Sequence, residues 1–185
     1  IAGGKVVKLD RVIWEIMPDA QTAASALMAG EVEFYEQPPI DILPMLTGAA
    51  GVKLEVFSKL GNMGQVRLNH LHPPFNNVMA RRAAQLAISQ DDVQRAAVGN
   101  PEYWRSCGSN FTCGSAMGVE DGSEALMLKA PMAERQAKAR ELLKQSGYDG
   151  KPIVVLHATN VHIMNQTMLV VAQNLRQVGF NVQLA

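Results

Sequence analysis

The alternation of strand-like and helix-like segments is the feature that most constrains this fold. Runs with an apolar residue at every second position are typical of β-strands, and runs with a 3.6-residue period are typical of helices. In residues 9–17, Val12, Trp14 and Ile16 share one face, and Asp19 is placed to cap the helix that follows. Strands that alternate with helices predict an α/β fold, in which helices pack on a sheet.

The predicted elements follow one another along the whole chain. The strands are predicted at residues 9–17, 31–37, 52–57, 65–71, 152–157 and 180–184. The helices are predicted at residues 20–29, 41–46, 78–89, 132–146 and 162–178, with a further short helix that Ser89 or Asp91 caps and that ends near Gly99. Residues 100–129 are irregular and contain both cysteines. A loop of this length is usually functional or held by specific contacts.

Length and charge exclude several classes of protein. The chain has 185 residues, and its 17 basic residues balance its 17 acidic ones. A neutral chain lacks the basic field that nucleic-acid binding requires, and its apolar stretches are far shorter than the roughly 20 residues that span a bilayer.

The chain starts at Ile1 without a methionine and stops at Ala185 beside a predicted strand. We therefore expect a single domain, residues 1–185, cut at both ends from a longer protein.

The only two cysteines, Cys107 and Cys113, lie in a stretch rich in glycine and serine. A bridge between them would hold a loop that has little regular hydrogen bonding. Such a bridge persists in an oxidising compartment, so it would indicate a periplasmic or secreted protein. Two separate buried thiols and half of a metal site are the alternatives, although the spacing matches neither a redox motif nor a zinc knuckle.

Two histidine-containing segments are candidate sites. His70 and His72 would share one face of a strand, where they could bind a metal, but a surface pair without a ligand is favoured because no third ligand is near in sequence. His157 and His162 flank a predicted strand-to-helix turn. Turns at this position face the ligand crevice in many α/β proteins. The alternative interpretation is a plain helix cap, formed by Thr159 or Asn160.

The chain has no nucleophile elbow, Walker loop or zinc-protease motif, so the sequence predicts no enzyme activity, cofactor or metal.

Residues 69–92 (NHLHPPFNNVMARRAAQLAISQDD) carry the most specific pattern. This segment resembles the signature of the family 5 extracellular solute-binding proteins, the dipeptide- and oligopeptide-binding components of bacterial ABC importers. The resemblance continues through residues 16–33, 62–69, 137–150 and 173–184, in the family's order. Ser89 stands where the family usually has aspartate. The matches are Asn69, Pro73, Pro74, Phe75, Asn76, Arg81, Ala83, Ala87 and Ile88.

The resemblance implies one lobe of a type II periplasmic binding protein, with a mixed sheet flanked by helices. The chain would be most of the second lobe of a protein that closes on its ligand like a hinge. It would capture a peptide or related small solute in the periplasm, or outside a Gram-positive cell on a membrane anchor, and deliver it to the permease subunits as a monomer. A sugar, a nickel chelate or an opine is the alternative ligand, and a thiol-dependent enzyme that uses Cys107 with a histidine is the alternative class.

The resemblance also indicates residues that could contact the ligand. The strand that enters Asn69 lines the pocket of peptide-binding relatives, the tandem aromatic pair of the irregular region could stack on a solute, and the turn before the last long helix approaches ligand side chains. A subset of relatives carries a disulfide in the same loop as Cys107 and Cys113. The candidate ligand-binding residues are Leu60, Asn62, Met63, Gly64, Gln65, Tyr103, Trp104, Thr159, Asn160 and His162.

Overall fold

The computed structural model describes residues 4–120 and 122–185. Asp121, which belongs to the predicted irregular region, and residues 1–3 lie outside the described residues. The chain divides into two compact units, Ile1–Val56 and Phe57–Ala185. Every predicted ligand-binding residue belongs to the second unit.

The first unit is built around two helices and a short 3₁₀ turn. Helix α1 spans Ala20–Ala29, a 3₁₀ turn spans Ile40–Ile42 and helix α2 spans Leu43–Thr47. The predicted bounds of α1 are confirmed, because the Asp19 carboxylate accepts a hydrogen bond from the Thr22 backbone N–H at 2.7 Å and Gly30 ends the helix in the left-handed region. A small core of Ala24, Ile42 and Leu46 joins these elements.

The second unit contains the longer helices and both strands. The helices that the sequence predicts here are found at their predicted positions, with ends that differ by at most two residues. In contrast, α5 and the second 3₁₀ turn lie in the region predicted to be irregular. The elements are α3 (Val78–Ala87), α4 (Gln90–Ala97), a 3₁₀ turn (Pro101–Tyr103), α5 (Gly122–Ala125), α6 (Met132–Gln145), β1 (Ile153–Val155), α7 (His162–Gln177) and β2 (Val182–Leu184).

The core of the second unit lies where α3 packs on α6 and α7 packs on α4. Alanines on α3, among them Ala83 and Ala87, are fully buried and so allow close approach of the helices. Leu175 of α7 belongs to the same core. The Phe180 ring packs beside two further rings, with centroids 5.8 Å from Phe75 and 5.4 Å from Tyr148.

The sheet is smaller than the sequence predicts. Strands β1 and β2 pair in parallel, with Ile153 opposite Val182, and α7 forms the crossover between them. Within residues 4–120 and 122–185, this two-stranded sheet is the only one, and the rest of the regular structure is helical. The prediction of a mixed sheet is therefore wrong for the described part of the chain.

Four predicted strands do not form in the described residues. Residues 9–17, 31–37, 52–57 and 65–71 contain no strand. Their alternating apolar side chains are largely exposed, for example Trp14 at 84% and Ile16 at 92%. An alternating pattern indicates which face of a strand would be buried, but a strand also needs a neighbour to complete its ladder of hydrogen bonds. No neighbour is present for these segments among the described residues.

Candidate functional site: a disulfide-bonded loop beside an extended segment

The predicted disulfide is present. Cys107 and Cys113 are bonded, with their Cα atoms 6.0 Å apart, and Cys113 is buried whereas Cys107 is half-buried. The bond closes a short ring inside the segment that we call the cysteine loop (residues 99–118). Because each sulfur is bonded to the other, neither cysteine is a free thiolate, and the alternative of a thiol-dependent enzyme loses its nucleophile.

The N-terminus of α4 holds the cysteine loop. The Gln90 side chain pairs with the Cys107 backbone in both directions: its Nε2 donates to the carbonyl at 2.9 Å, and its Oε1 accepts from the N–H at 2.7 Å. The Ser106 hydroxyl donates to the Asp91 carboxylate in the same turn of α4. The loop is therefore bound to the helix by polar contacts on consecutive residues, in addition to the disulfide.

Three buried polar side chains in turn fix the position of α4. Ser89 caps α4, because its hydroxyl accepts from the Asp92 N–H at 3.1 Å, and its own N–H donates to the Asn174 side chain at 2.9 Å. Arg135 of α6 donates from Nη2 to the Ile88 carbonyl at 2.8 Å. Burial lowers the pKa of Arg135, and the negative charge of Asp91 acts in the opposite direction. The junction of α3 and α4 is thus anchored to both long helices.

The tandem aromatic residues lie at the start of the cysteine loop. Tyr103 is exposed and ends the second 3₁₀ turn, which the Asn100 side chain caps by accepting from the Glu102 N–H at 3.0 Å. Trp104 is half-buried, and its indole N–H donates to the Gly99 carbonyl at 3.4 Å. The polar atom of Trp104 is therefore used within the loop, whereas the Tyr103 ring remains accessible.

The predicted pocket strand, residues 60–65, is an extended segment without a ladder partner. It follows a tight turn in which the Gly61 N–H donates to the Ser58 carbonyl. Leu60, Asn62, Gly64 and Gln65 are exposed and Met63 is half-buried. A side chain added at Gly64 would meet no atom within 4 Å. This segment therefore presents open side chains and backbone groups to its surroundings.

The structure brings the cysteine loop and residue 60 together at Gly114. A Cβ atom placed on Gly114 would lie 3.8 Å from the Leu60 side chain and 2.9 Å from Nη2 of Arg105. The guanidinium of Arg105 thus lies against this glycine, beside the predicted pocket segment. The sequence does not indicate Arg105, because no local motif connects an arginine to a glycine nine residues later.

The turn at residues 159–162 forms a separate candidate. Thr159, Asn160 and His162 are exposed, and α7 begins after Val161 without a side-chain cap. The alternative of a plain cap from Thr159 or Asn160 is therefore wrong. Among the described residues, no hydrogen bond or ion pair joins this turn to residues 60–65 or to the cysteine loop.

The described part of the chain gives little support for a metal site. His70 and His72 are exposed, and residues 4–120 and 122–185 contain no cluster of three or more histidine, cysteine or carboxylate residues that could hold a metal. A groove of about 690 Å³ adjoins the cysteine loop, α3 and α6, and it is lined by none of the ten candidate residues.

No helix among the described residues has the length and apolar content needed to cross a membrane.

Comparison with known proteins shows which family and which relatives this chain resembles. The chain matches the family described as bacterial extracellular solute-binding proteins, family 5 Middle, over residues 2–185. It is 40% identical to the probable peptide ABC transporter periplasmic-binding protein y4tO of Sinorhizobium fredii, with 100% of this chain and 34% of the relative aligned. It is 26% identical to the glutathione-binding protein GsiB of Pectobacterium atrosepticum over 96% of this chain and 32% of that protein.

A solved structure has a similar fold. The ABC transporter substrate-binding protein CtaP of Listeria monocytogenes superposes with a TM-score of 0.68 at 21% identity, over 92% of this chain and 33% of that one. The chain thus spans about a third of the length of the relatives that it matches. Since the match extends through almost every residue, the chain belongs to the bacterial extracellular solute-binding proteins of family 5, a family of binding proteins and not of enzymes.

Proposed function

We propose that this sequence is the middle part of the substrate-binding component of an ABC importer for peptides. The observation that carries the proposal is the family match over residues 2–185. The names of two relatives, a probable peptide-binding protein and a glutathione-binding protein, support a peptide or a peptide-like thiol as the solute. The protein would act as a monomer outside the cytoplasmic membrane and deliver its solute to the permease subunits.

We further propose that the second unit supplies one wall of a cleft between two lobes. Its candidate contacts are residues 60–65, the exposed ring of Tyr103 with its neighbour Trp104, and the turn at residues 159–162. Closure of a second wall over these groups would exclude water and strengthen their polar contacts with the solute. The disulfide and the Gln90 pair support this role, because a wall held in place before binding loses less conformational entropy when the solute arrives.

Calorimetric titration of the complete gene product that carries this sequence tests the proposal. We expect saturable binding of trialanine or reduced glutathione, with both peptides recovered intact after incubation. A sugar, a nickel chelate and an opine are titrated in parallel. Binding of one of these and of neither peptide would contradict the peptide assignment, and cleavage of a bound peptide would contradict the assignment as a receptor.

A matched pair of variants tests the proposed wall. Gln65→Ala removes an exposed glutamine of the pocket segment, and Gln173→Ala removes an exposed glutamine from α7. Loss of a hydrogen bond to the solute weakens binding by about tenfold, so we expect that loss for Gln65→Ala and unchanged affinity for Gln173→Ala. Equal affinities of the two variants would exclude Gln65 from the wall.

A further inference from the structure

Arg105 differs from its neighbours in the cysteine loop. Trp104 donates a hydrogen bond to Gly99, Ser106 donates one to Asp91, and the backbone of Cys107 pairs with Gln90. Arg105 is exposed, and within residues 4–120 and 122–185 it forms neither a hydrogen bond nor an ion pair. The residues on both sides of Arg105 are thus anchored, while all five donor N–H groups of its guanidinium remain available.

The guanidinium nevertheless has a defined place. It lies against Gly114, where a Cβ atom would be 2.9 Å from Nη2 and 3.9 Å from Cζ. Gly114 also has φ of +88°, a backbone conformation that other residues rarely adopt. A glycine at this position therefore provides both the turn and the space for the arginine.

The same glycine adjoins the proposed wall, because the Leu60 side chain lies 3.8 Å from the position of its absent Cβ. The guanidinium and the Leu60 side chain, at the start of the extended segment, thus adjoin the same glycine. A carboxylate on a solute lying along residues 60–65 would meet two parallel N–H donors, the geometry in which arginine binds carboxylates most strongly.

We propose that Arg105 binds a carboxylate of the solute and thereby selects anionic peptides. This inference rests on the proposed function, since it assigns a role to one residue of the proposed wall. It also specifies the solute class: a peptide with a free C-terminal carboxylate or an acidic side chain, and not a neutral sugar or a peptide amide.

The test is a cycle of calorimetric titrations on the complete gene product. Trialanine and reduced glutathione are titrated first, and the peptide that binds more tightly is then compared with its fully amidated form. We expect Arg105→Ala to weaken binding of the free acid by about tenfold to a hundredfold and to change binding of the amide less than about twofold. Arg140→Ala removes an exposed arginine of α6 and serves as the matched control.

Two further measurements separate binding from structure. The thermal unfolding temperature of Arg105→Ala should equal that of the parent protein, because the side chain forms no hydrogen bond or ion pair within the described residues. If that variant does not fold, Arg105→Gln, which keeps a planar polar group over Gly114, replaces it. The affinity of the parent protein for the free acid should also fall as salt is raised, whereas that of the variant should change little.

The outcomes distinguish the two proposals. If the parent protein binds neither peptide, the proposed function fails and this inference fails with it. If the parent protein binds a peptide but the Arg105 variants bind acid and amide as it does, the proposed function stands and the role of Arg105 is overturned. Equal affinity of the parent protein for acid and amide would overturn it in the same way.

Discussion

The helical core of the second unit and the cysteine loop are held together by different forces. The core depends on buried apolar side chains of α3, α6 and α7, whereas the loop, which has little regular structure, depends on one covalent bond and a few hydrogen bonds to α4. Apolar burial is cooperative across the core, so its loss unfolds the unit. Loss of a loop contact frees only a local segment. A surface loop can thus be held in place without belonging to the core.

The largest expected effect comes from the core. Leu175→Ala removes a side chain that is 2% exposed in the last turn of α7, and we expect it to lower the free energy of unfolding by about 3 kcal/mol. Urea unfolding followed by circular dichroism measures this change. Leu169→Ala, on the same helix but 38% exposed, should cost clearly less. Equal costs would show that burial in α7 does not govern stability.

The next effect comes from the disulfide. Replacing both cysteines by serine frees a ring closed across a sequence separation of 6, and the gain in chain entropy corresponds to about 2 kcal/mol. We expect faster hydrogen exchange at the amides of residues 105–113 and unchanged exchange in α3 and α6. Equally faster exchange in the helices would show that the loop belongs to the same cooperative unit as the core.

The smallest effect comes from the hydrogen bonds of Gln90. Gln90→Ala removes both bonds to the Cys107 backbone and should lower the local stability of the loop by about 1 kcal/mol, because water replaces part of what is lost. Hydrogen exchange at Cys107 measures it, with Gln94→Ala on the same helix as the control. If Cys107 exchanged at the same rate in both variants, the disulfide alone would hold the loop.

The sequence predicts the helices well and most of the strands poorly. Asp19 caps α1 as predicted, and α4 is capped by Ser89, one of its two predicted caps, because a cap acts on an amide only three residues away. The same reasoning does not extend to residues 9–17 or 65–71, where an alternating pattern is present but no ladder partner lies among the described residues. A helix completes its hydrogen bonds within its own segment, whereas a strand depends on another one.

The candidate site was predicted in part. Cysteine spacing, together with the resemblance, indicated the disulfide, and the resemblance indicated residues 60–65. Arg105 was missed, since its relation to Leu60 and Gly114 depends on how the loop folds back on the pocket segment. The proposed contacts of residues 60–65, Tyr103, Trp104 and the turn at residues 159–162 with a solute stay predictions.

By itself, the sequence determined the positions of the longer helices, favoured the disulfide over its alternatives and indicated the family, because these depend on local spacing and on motifs that are read along the chain. The tertiary structure alone decided which alternating segments pair as strands, which helix holds the cysteine loop and where the Arg105 guanidinium lies. Each of these depends on groups that are distant in sequence and meet only after the helices have packed.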